Sequence, residues 1–479
     1  MGTIAGAAIA LDGVMVEATF RDNALIADVG ITKLTLLGSA LARAGAAAPA
    51  PSLLALAGCR IERNLMLCPV AAIALGDATQ QQGFCIYLLE TAIDDNTVLG
   101  GNLAGIIVEG LTDPGASVRI SGNDIEVNRI GIATGLDAAI VCDNVITQAD
   151  VAALGRNGAA AGGIGIAVFG ISGLQVPLFD MRLHRNRIVG IAGPGIVLDA
   201  SAVMISIVDN TIQETIGSGI SIGANAVVGD LLVRGNEVLI VSGPAAQGTT
   251  AVFGIAAGNA LNAVVENNTV GGIGNAQGAT DSSAAIALTR AATGTLAHNN
   301  IRDVGSTQGL GYALGIVSTG VLDDVAISSN VIHQATVPVK VANVFIGIAV
   351  QTNPDLLNIA ASVQDNTVEG SSLLMLVLVQ GALDCVVAGN ICRHGAAQRF
   401  PNAPLVDING ATVVASHNRI QGPRGTPGLH VNATLTGTGG GAGSNPAATL
   451  VGNIVTDSIL LGTAALPPSS VWAPLNIIM

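Results

Sequence analysis

One short phrase recurs along this chain: an asparagine with an apolar residue two positions after it and another three positions before it. Residues 207–224, IVDNTIQETIGSGISIGA, hold one copy centred on Asn210. Most copies follow the preceding one after 21 to 36 residues. Fifteen copies define the repeat, at Asn23, Asn64, Asn96, Asn123, Asn144, Asn186, Asn210, Asn236, Asn268, Asn299, Asn330, Asn366, Asn390, Asn418 and Asn453.

A second phrase lies between these asparagines: glycine, an apolar residue, a spacer and usually another apolar residue. Gly105, Gly131, Gly165 and Gly219 each open a copy. Apolar residues alternate with a period of two inside both phrases, which predicts short strands and no helices. A single unit of this size cannot bury its apolar face alone, whereas stacked units close a continuous core. The sequence therefore predicts a solenoid in which each copy is one coil.

The recurrent asparagine has a predicted structural role at the bend between two strands. We expect it to take the left-handed backbone conformation, which asparagine tolerates better than most residues. Stacked coils lie ~4.8 Å apart, so asparagine side chains in register can hydrogen-bond from coil to coil. The predicted ladder comprises Asn96, Asn123, Asn144, Asn186, Asn210, Asn236, Asn268, Asn299, Asn330, Asn366, Asn390 and Asn418.

Over about residues 15–460, this pattern resembles the right-handed parallel β-helix proteins of the pectin-lyase-like superfamily. The resemblance implies an all-β chain forming a single domain over residues 1–479, with about 14–15 coils. It also implies that the asparagine turn separates the second and third strands of a coil, and that the glycine phrase opens the first. We expect residues 422–448, rich in Gly, Pro and Thr, to form a long loop, and residues 461–479 to form a C-terminal cap or tail.

The amino-acid composition limits the classes of molecule that the chain is predicted to bind. Aromatic residues make up only 2% of the chain, so the core must consist of Ile, Val, Leu and Ala. The net charge is −14, and neither a basic stripe nor a set of stacking aromatics is visible, which excludes nucleic acid as a predicted partner. Polar residues interrupt the most apolar stretches before they reach the ~20 residues of a spanning helix. Neither a membrane span nor a signal peptide is predicted, the compartment is undetermined, and nothing indicates a cofactor.

The resemblance also directs attention to the outer face of the first sheet. Enzymes of the superfamily generally carry catalytic carboxylates there, or Ca²⁺ ligands with a basic residue. The outward positions of this chain are mostly small and apolar, and Glu109 and Asp199 are the two carboxylates among them. We expect them three coils, or roughly 14 Å, apart, whereas acid–base work on a glycosidic bond needs ~5 to 9.5 Å. Glu109 and Asp199 are the catalytic candidates, and no catalytic pair is predicted.

Longer loops follow the asparagine phrase in four consecutive coils, at about 240–253, 271–284, 303–314 and 334–346. Loops on a rigid solenoid commonly carry binding residues, although these four can equally be neutral insertions. No two histidines stack at one position in adjacent coils, so no metal site is predicted, and the cysteines are interpreted as buried thiols. The loop candidates for binding are Asp281, Arg302, Asp303, Tyr312 and His333.

Three functions remain open at this stage. The first is a non-catalytic scaffold or binding protein, as in a bacterial surface, secreted or phage-tail-like assembly, with carbohydrate or another protein as partner. The second is a polysaccharide-active lyase, hydrolase or epimerase, which only the resemblance supports. The third is a homo-oligomer that buries an apolar outer face between subunits.

Overall fold

The computed structural model describes residues 6–33, 53–76, 86–113, 115–148, 163–171, 176–223, 226–242, 251–274, 283–305, 312–334, 344–351, 360–370, 373–395, 403–432, 447–462, 464–466, 468 and 470–479. The chain divides into two compact units, Met1–Leu232 (unit 1) and Val233–Met479 (unit 2). Both consist of short strands, and the described residues include a single short 3₁₀ turn, Ala473–Leu475.

Unit 1 contributes strands β1 to β26, the last of which runs past the boundary. They are β1 (Ala7–Leu11), β2 (Gly13–Val16), β3 (Thr19–Arg21), β4 (Ala24–Ile26), β5 (Val29–Lys33), β6 (Leu54–Ala57), β7 (Arg60–Glu62), β8 (Leu65–Cys68), β9 (Ala71–Leu75), β10 (Ile86–Leu89), β11 (Ala92–Asp94), β12 (Thr97–Gly100), β13 (Ala104–Gly110), β14 (Val118–Ser121), β15 (Asp124–Val127), β16 (Ile130–Leu136), β17 (Ala139–Cys142), β18 (Val145–Gln148), β19 (Ile164–Phe169), β20 (Met181–His184), β21 (Arg187–Val189), β22 (Ile196–Asp199), β23 (Ala202–Val208), β24 (Thr211–Ile216), β25 (Ser218–Ile222) and β26 (Val228–Arg234).

Unit 2 contributes strands β27 to β49. They are β27 (Glu237–Ser242), β28 (Val252–Gly258), β29 (Ala260–Glu266), β30 (Thr269–Ile273), β31 (Ser283–Thr289), β32 (Thr293–Ala297), β33 (Asn300–Val304), β34 (Tyr312–Thr319), β35 (Asp324–Ser328), β36 (Val331–Gln334), β37 (Val344–Gln351), β38 (Ala360–Gln364), β39 (Thr367–Gly370), β40 (Leu373–Ala388), β41 (Ile391–His394), β42 (Val406–Ser416), β43 (Arg419–Gln421), β44 (Leu429–Asn432), β45 (Ala447–Val451), β46 (Ile454–Val455), β47 (Ile459–Leu461), β48 (Ala464–Ala465) and β49 (Ile477–Ile478).

Within each unit, every strand pairs in parallel with the strand one coil away, apart from the antiparallel pair β47–β48. This is the right-handed parallel β-helix that the repeat predicts. Each coil contributes one strand to each of three sheets. The first sheet is the stack of strands that the glycine phrase opens. The second sheet stacks the strands before the ladder asparagine, and the third sheet stacks the strands after it. In unit 1, for example, β13, β14 and β15 are the first, second and third strands of one coil.

The core of each unit consists of stacked aliphatic side chains in register. Five fully buried isoleucines follow one another in the first sheet of unit 1: Ile106, Ile132, Ile166, Ile196 and Ile220. Unit 2 has the matching stack Ile255, Ile286, Ile316, Ile348, Val377 and Val406. Each coil presents the same inward position to its neighbour, so a two-residue period is enough to build the core.

The asparagine ladder is present in both units. Each ladder asparagine donates its backbone N–H and its Nδ2–H to Oδ1 of the next one, as Asn123 does to Asn144 at 3.1 and 2.9 Å. Its Nδ2 also donates to the carbonyl of the apolar residue three positions before the preceding asparagine, here Ile93 at 2.9 Å. The buried amide is therefore satisfied on both sides. The ladder runs through Asn23, Asn64, Asn96, Asn123, Asn144, Asn186 and Asn210 in unit 1, and through Asn236, Asn268, Asn299, Asn330, Asn366, Asn390, Asn418, Asn453 and Asn476 in unit 2.

The predicted backbone role of the asparagine is wrong by one residue. The left-handed residue is the one before the ladder asparagine, as in Asp95 (φ 55°) before Asn96 and Gly122 (φ 65°) before Asn123. All fifteen copies of the phrase share this feature. Asp, Asn and Gly are frequent at that position because they tolerate positive φ, whereas the asparagine itself is fixed by its side-chain bonds.

The C-terminal part differs from the simple repeat in two places. Residues 429–432, which the sequence places in a long loop, form β44, paired with β42 and β47. Asn476, in the tail, accepts from Nδ2 of Asn453 at 2.9 Å, and β49 after it pairs with β46. The tail thus adds one more rung to the ladder.

Two further predictions concern the membrane and the thiols. No helix of the described residues is long and apolar enough to cross a membrane.

Cys59, Cys68, Cys142, Cys385 and Cys392 are buried free thiols, and Cys85 lies outside the described residues. Burial raises the pKa of Cys142 to about 11 and that of Cys392 to about 12, so both stay protonated and unreactive near neutral pH.

Candidate functional site

The two carboxylate candidates stand in one outward row of the first sheet of unit 1. Along the row, one coil after another, stand Glu109, Gly135, Phe169 and Asp199. Three coil steps separate the carboxylates, roughly 14 Å at ~4.8 Å per step. The ring of Phe169 packs over Gly135, where an added Cβ would lie 2.9 Å from it. The structure places a glycine and an aromatic ring between Glu109 and Asp199 and does not bring them together.

The same two residues also differ in solvent exposure. Glu109 is fully buried, at 0% exposure, and its backbone and Cβ lie against Gly76 of the preceding coil. Asp199, at the end of β22, is exposed. A buried carboxylate cannot reach a polymer in solvent without rearrangement, so only Asp199 of this row is accessible to a ligand.

The loop candidates lie on two different sheets. Arg302 and His333 are neighbours in one outward row of the third sheet of unit 2, which continues through Glu369 and Arg393. Glu369 forms an ion pair with Arg393 and lies 3.9 Å from Nδ1 of His333.

The remaining loop candidates do not join that row. Asp303 follows Arg302 in β33 with a left-handed backbone (φ 51°). Tyr312 opens β34 of the first sheet and is 54% exposed. Asp281 lies outside the described residues. The structure therefore brings together Arg302 and His333 but not the full set.

The small apolar residues predicted on the outer face of the first sheet are covered in unit 2. Ala287, Val317 and Ala349 are 2%, 8% and 1% exposed and belong to one hydrophobic cluster. Phe253 and Leu314 pack against that cluster from the same sheet. These positions are buried within the chain itself, so they need no partner subunit to cover them.

The structure shows a cleft in unit 1 that the sequence did not indicate. It has a volume of about 700 Å³ and is lined by Thr112, Asp113, Gly115, Ala116, Ser117, Asp137, Ala138, Ile140, Phe179, Asp180 and Arg182. Apart from Ile140 in β17 and Arg182 in β20, these residues come from the connections between first and second strands in three successive coils. The middle connection, between β16 and β17, is only Asp137 and Ala138, whereas β13–β14 and β19–β20 are joined by 111–117 and 170–180. A short connection between two long ones leaves a hollow.

Hydrogen bonds tie the middle connection to both of its neighbours. Thr112 Oγ1 donates to the carbonyl of Asp137 at 3.2 Å. On the other side, the N–H of Ala138 donates to the carbonyl of Phe179 at 2.8 Å, and the N–H of Phe179 donates to Oδ1 of Asp137 at 3.2 Å. Because these bonds fix the backbone on three coils, the cleft is preorganised.

The charged groups of the cleft are three carboxylates and one guanidinium. Arg182 forms a bidentate pair with Asp180, with Nε–Oδ1 at 3.0 Å and Nη2–Oδ2 at 2.6 Å. Burial raises the pKa of the Asp137 carboxyl above its ordinary value, and the bond from the Phe179 N–H partly opposes this. The lining therefore has excess negative charge, with Asp113 and Asp137 not matched by a cation among the lining residues.

Two features of the cleft have an energetic cost. The ring of Phe179 is 55% exposed, in a chain with few aromatic residues. Ala138 has a left-handed backbone (φ 49°), which costs roughly 1–2 kcal/mol for a residue with a Cβ. Exposed apolar groups and strained backbone both concentrate at binding sites.

A close carboxylate–imidazole pair lies on the outer face of the first sheet in unit 2. Nδ1 of His430 lies 2.8 Å from Oδ1 of Asp407, and its Nε2 lies 2.9 Å from the carbonyl oxygen of Gly462. Both partners can act as acceptors, so the protonated ring can donate through both nitrogens, which favours its charged form. Asp407 raises the pKa of His430. The imidazole has no nitrogen left to act as a base, which favours a structural role.

Sequence reasoning missed both the cleft and the Asp407–His430 pair. Several cleft residues share an offset, since Ala116, Asp137 and Phe179 each lie seven residues before a ladder asparagine. Thr112 and Asp113 have no equivalent among the lining residues of the other two coils, because the three connections differ in length. Asp407 and His430 do share a row, but the register depends on β44, which the composition of 422–448 disguised. Among the described residues, no group of three or more His, Cys, Asp or Glu side chains could hold a metal ion.

Comparison with known proteins adds little to this geometry. No family model matches the sequence, and no curated protein matches it. Among solved structures, the chain is similar to the A-module of the mannuronan C-5 epimerase AlgE4 of Azotobacter vinelandii. The identity is 14%, over 93% of this chain and 92% of that chain, with a TM-score of 0.26. A likeness of that size carries no argument about activity.

Proposed function

We propose that this chain is a non-catalytic β-helix that serves as a scaffold or binding protein. The observation that carries the proposal is the row of Glu109, Gly135, Phe169 and Asp199. Its two carboxylates are three coils apart, and one of them is fully buried. Acid–base hydrolysis of a glycosidic bond generally uses two carboxyl groups that flank the bond. This row offers a ligand one carboxylate, which can bind but lacks a partner for proton transfer.

A turnover screen tests the proposal. The purified chain is incubated with neutral, amino-bearing and uronate polysaccharides, and products are followed by reducing ends, by unsaturated termini and by NMR for epimerised residues. We expect none of the three products. Turnover that Asp199→Asn or Glu109→Gln abolishes would overturn the proposal and establish a polysaccharide-active enzyme.

The same screen covers the other carboxylates. Asp137 has a raised pKa and Asp180 is paired with an arginine, and carboxyl groups with unlike environments are the usual acid and base of hydrolytic sites. Turnover that survives Asp199→Asn but not Asp137→Asn would place an active centre in the cleft of unit 1. That outcome also overturns the scaffold proposal.

Exposed apolar side chains in the first coils favour the oligomer as a second candidate. Val14, Val16 and Ile26 are 69%, 66% and 79% exposed. Light scattering distinguishes the 47.5 kDa monomer from a multiple of that mass. If an oligomer forms through these coils, Ile26→Lys shifts the mass to the monomer, whereas Thr97→Lys, on the outward side of the same sheet, leaves it unchanged. A monomeric wild type would exclude the oligomer under those conditions.

A further inference from the structure

The cleft of unit 1 has the size of a small-molecule site. Its volume of about 700 Å³ lies within the ~300–1,000 Å³ typical of ligand pockets. Hydrogen bonds between the coils hold Thr112, Asp137 and Phe179 in place, so a ligand does not have to order these residues. Preorganisation of this kind lowers the entropic cost of binding.

The chemistry of the lining restricts the ligand. Phe179 presents an exposed apolar ring to a cleft that Ala116, Ala138 and Ile140 also line, and a ligand with an apolar face gains by covering that ring. Carboxylate oxygens of Asp113 and Asp137 accept hydrogen bonds, and the guanidinium of Arg182 has N–H groups beyond the two that Asp180 uses. The matching ligand has one apolar face and a rim of hydroxyl or amino donors, which describes a sugar ring.

Charge decides between classes of sugar. The lining holds three carboxylates and one guanidinium, and the whole chain carries a net charge of −14. A carboxylate on the ligand would lie against Asp113 and Asp137 and be repelled in a cleft that partly excludes water. A hydroxyl or an ammonium group would instead donate to the same oxygens.

We propose that the cleft lined by Thr112, Asp137, Phe179 and Arg182 binds a saccharide without negative charge, neutral or amino-bearing, with the ring of Phe179 against the apolar face of the sugar. The carboxylates of Asp113 and Asp137 accept from its hydroxyl or amino groups. This inference rests on the proposed binding function, and it adds the site and the class of ligand.

The test is calorimetric titration of the full chain with three hexasaccharides: cellohexaose (neutral), a chitosan hexamer (amino-bearing) and hexagalacturonate (uronate). We expect the first, the second or both to bind and the third to bind at least tenfold more weakly. Phe179→Ala should weaken binding at least tenfold, because the stacking surface is lost. Phe179→Tyr, which keeps the ring, should bind like the wild type.

Matched controls keep the result interpretable. Leu261→Ala removes an apolar side chain of similar exposure (58%) in unit 2 and should leave binding unchanged. Phe179 is mostly in solvent, so its replacement should preserve the fold, which circular dichroism checks. The inference is overturned if none of the three sugars binds, if hexagalacturonate binds as tightly as the others, or if Phe179→Ala has no effect. The function proposed above fails separately, through turnover in the screen.

Discussion

At the scale of single residues, the ladder asparagine is the most constrained side chain of the fold. Asn123 accepts from the N–H and Nδ2 of Asn96 at 3.0 and 2.9 Å, and its own Nδ2 reaches Asn144 and the carbonyl of Ile93. No other side chain of similar size offers one acceptor and two donors in that arrangement. The requirement for asparagine therefore comes from the side chain and not from the backbone bend.

Replacement of a ladder asparagine by alanine should be strongly destabilising. Asn123→Ala leaves two donors of Asn96 and the carbonyl of Ile93 buried without their partner, and each such group costs ~1–3 kcal/mol. We expect a loss of about 3 kcal/mol or more in the free energy of unfolding, measured by urea denaturation. Asn102→Ala is the control, since Asn102 is exposed and accepts a single bond from Asn128. An equal effect of both substitutions would refute the role of the ladder.

His430 should make the stability of unit 2 depend on pH. Its folded pKa is raised by Asp407, so the contribution is fully present below the unfolded value of about 6.5 and is lost as the pH rises through the folded pKa. His430→Gln, which does not titrate, should therefore cost more stability at about pH 5.5 than at about pH 8.5. Urea unfolding of wild type and variant at both pH values measures this difference. A cost that does not change with pH would contradict the charged His430–Asp407 pair.

At the scale of elements, the glycine that opens a first-sheet strand is required by close packing between coils. A Cβ on Gly131 would lie 2.5 Å from the carbonyl oxygen of Gly165 in the next coil, and would also meet Ile146 of the third sheet. The backbone of the next coil cannot retreat, because its hydrogen bonds to the stack fix it. The glycine phrase thus sets how closely successive coils and sheets approach.

Alanine at that glycine should be costly. We expect Gly131→Ala to destabilise the protein by about 3 kcal/mol, the upper part of the range for overpacked sites. Gly170→Ala is the matched control, because nothing lies within 4 Å of the added Cβ and its φ is not positive. Thermal or urea unfolding of the two variants should differ clearly. If both variants are as stable as the wild type, neighbouring coils can move apart to admit the added methyl group, and the predicted role of the glycine is wrong.

Across the whole molecule, charge is the property that limits partners most directly. The chain has 33 acidic and 19 basic residues. One basic row exists on the third sheet of unit 2, but Glu369 lies in it between His333 and Arg393. Polyanions gain affinity through release of counterions by clustered cations, and this surface offers few of them.

The chain should accordingly bind duplex DNA more weakly than Kd ~10⁻⁴ M, the weak end of non-specific binding. Fluorescence anisotropy with a labelled duplex measures this, and lowering the salt from about 200 to about 50 mM should not induce binding. A basic DNA-binding protein serves as the positive control. Binding that strengthens at low salt and is lost in Arg393→Ala would show that the basic row outweighs the net charge.

The sequence by itself determined the fold, the register and most of the ladder. Each coil repeats the same pattern of apolar and polar residues. The inward-facing residue of one coil therefore predicts that of the next, as in Ile106, Ile132 and Ile166. It also predicted the separation of Glu109 and Asp199, because three copies of one repeat span a fixed distance. It missed Asn476, whose copy of the phrase lies in the segment assigned to a C-terminal cap or tail. It also assigned the bend to the wrong residue, because burial of the asparagine side chain is not visible in spacing.

Only the tertiary structure decided where a cleft lies and which side chains face one another in it. Asp113, Asp137 and Asp180 stand on connections of unequal length, so no fixed spacing relates them. Their proximity results from stacking three coils whose strands are in register while their connections are not. The repeat defines the rows of the solenoid, whereas connections of unequal length define the cleft. A ligand cleft requires departures from the uniform surface that identical coils would form.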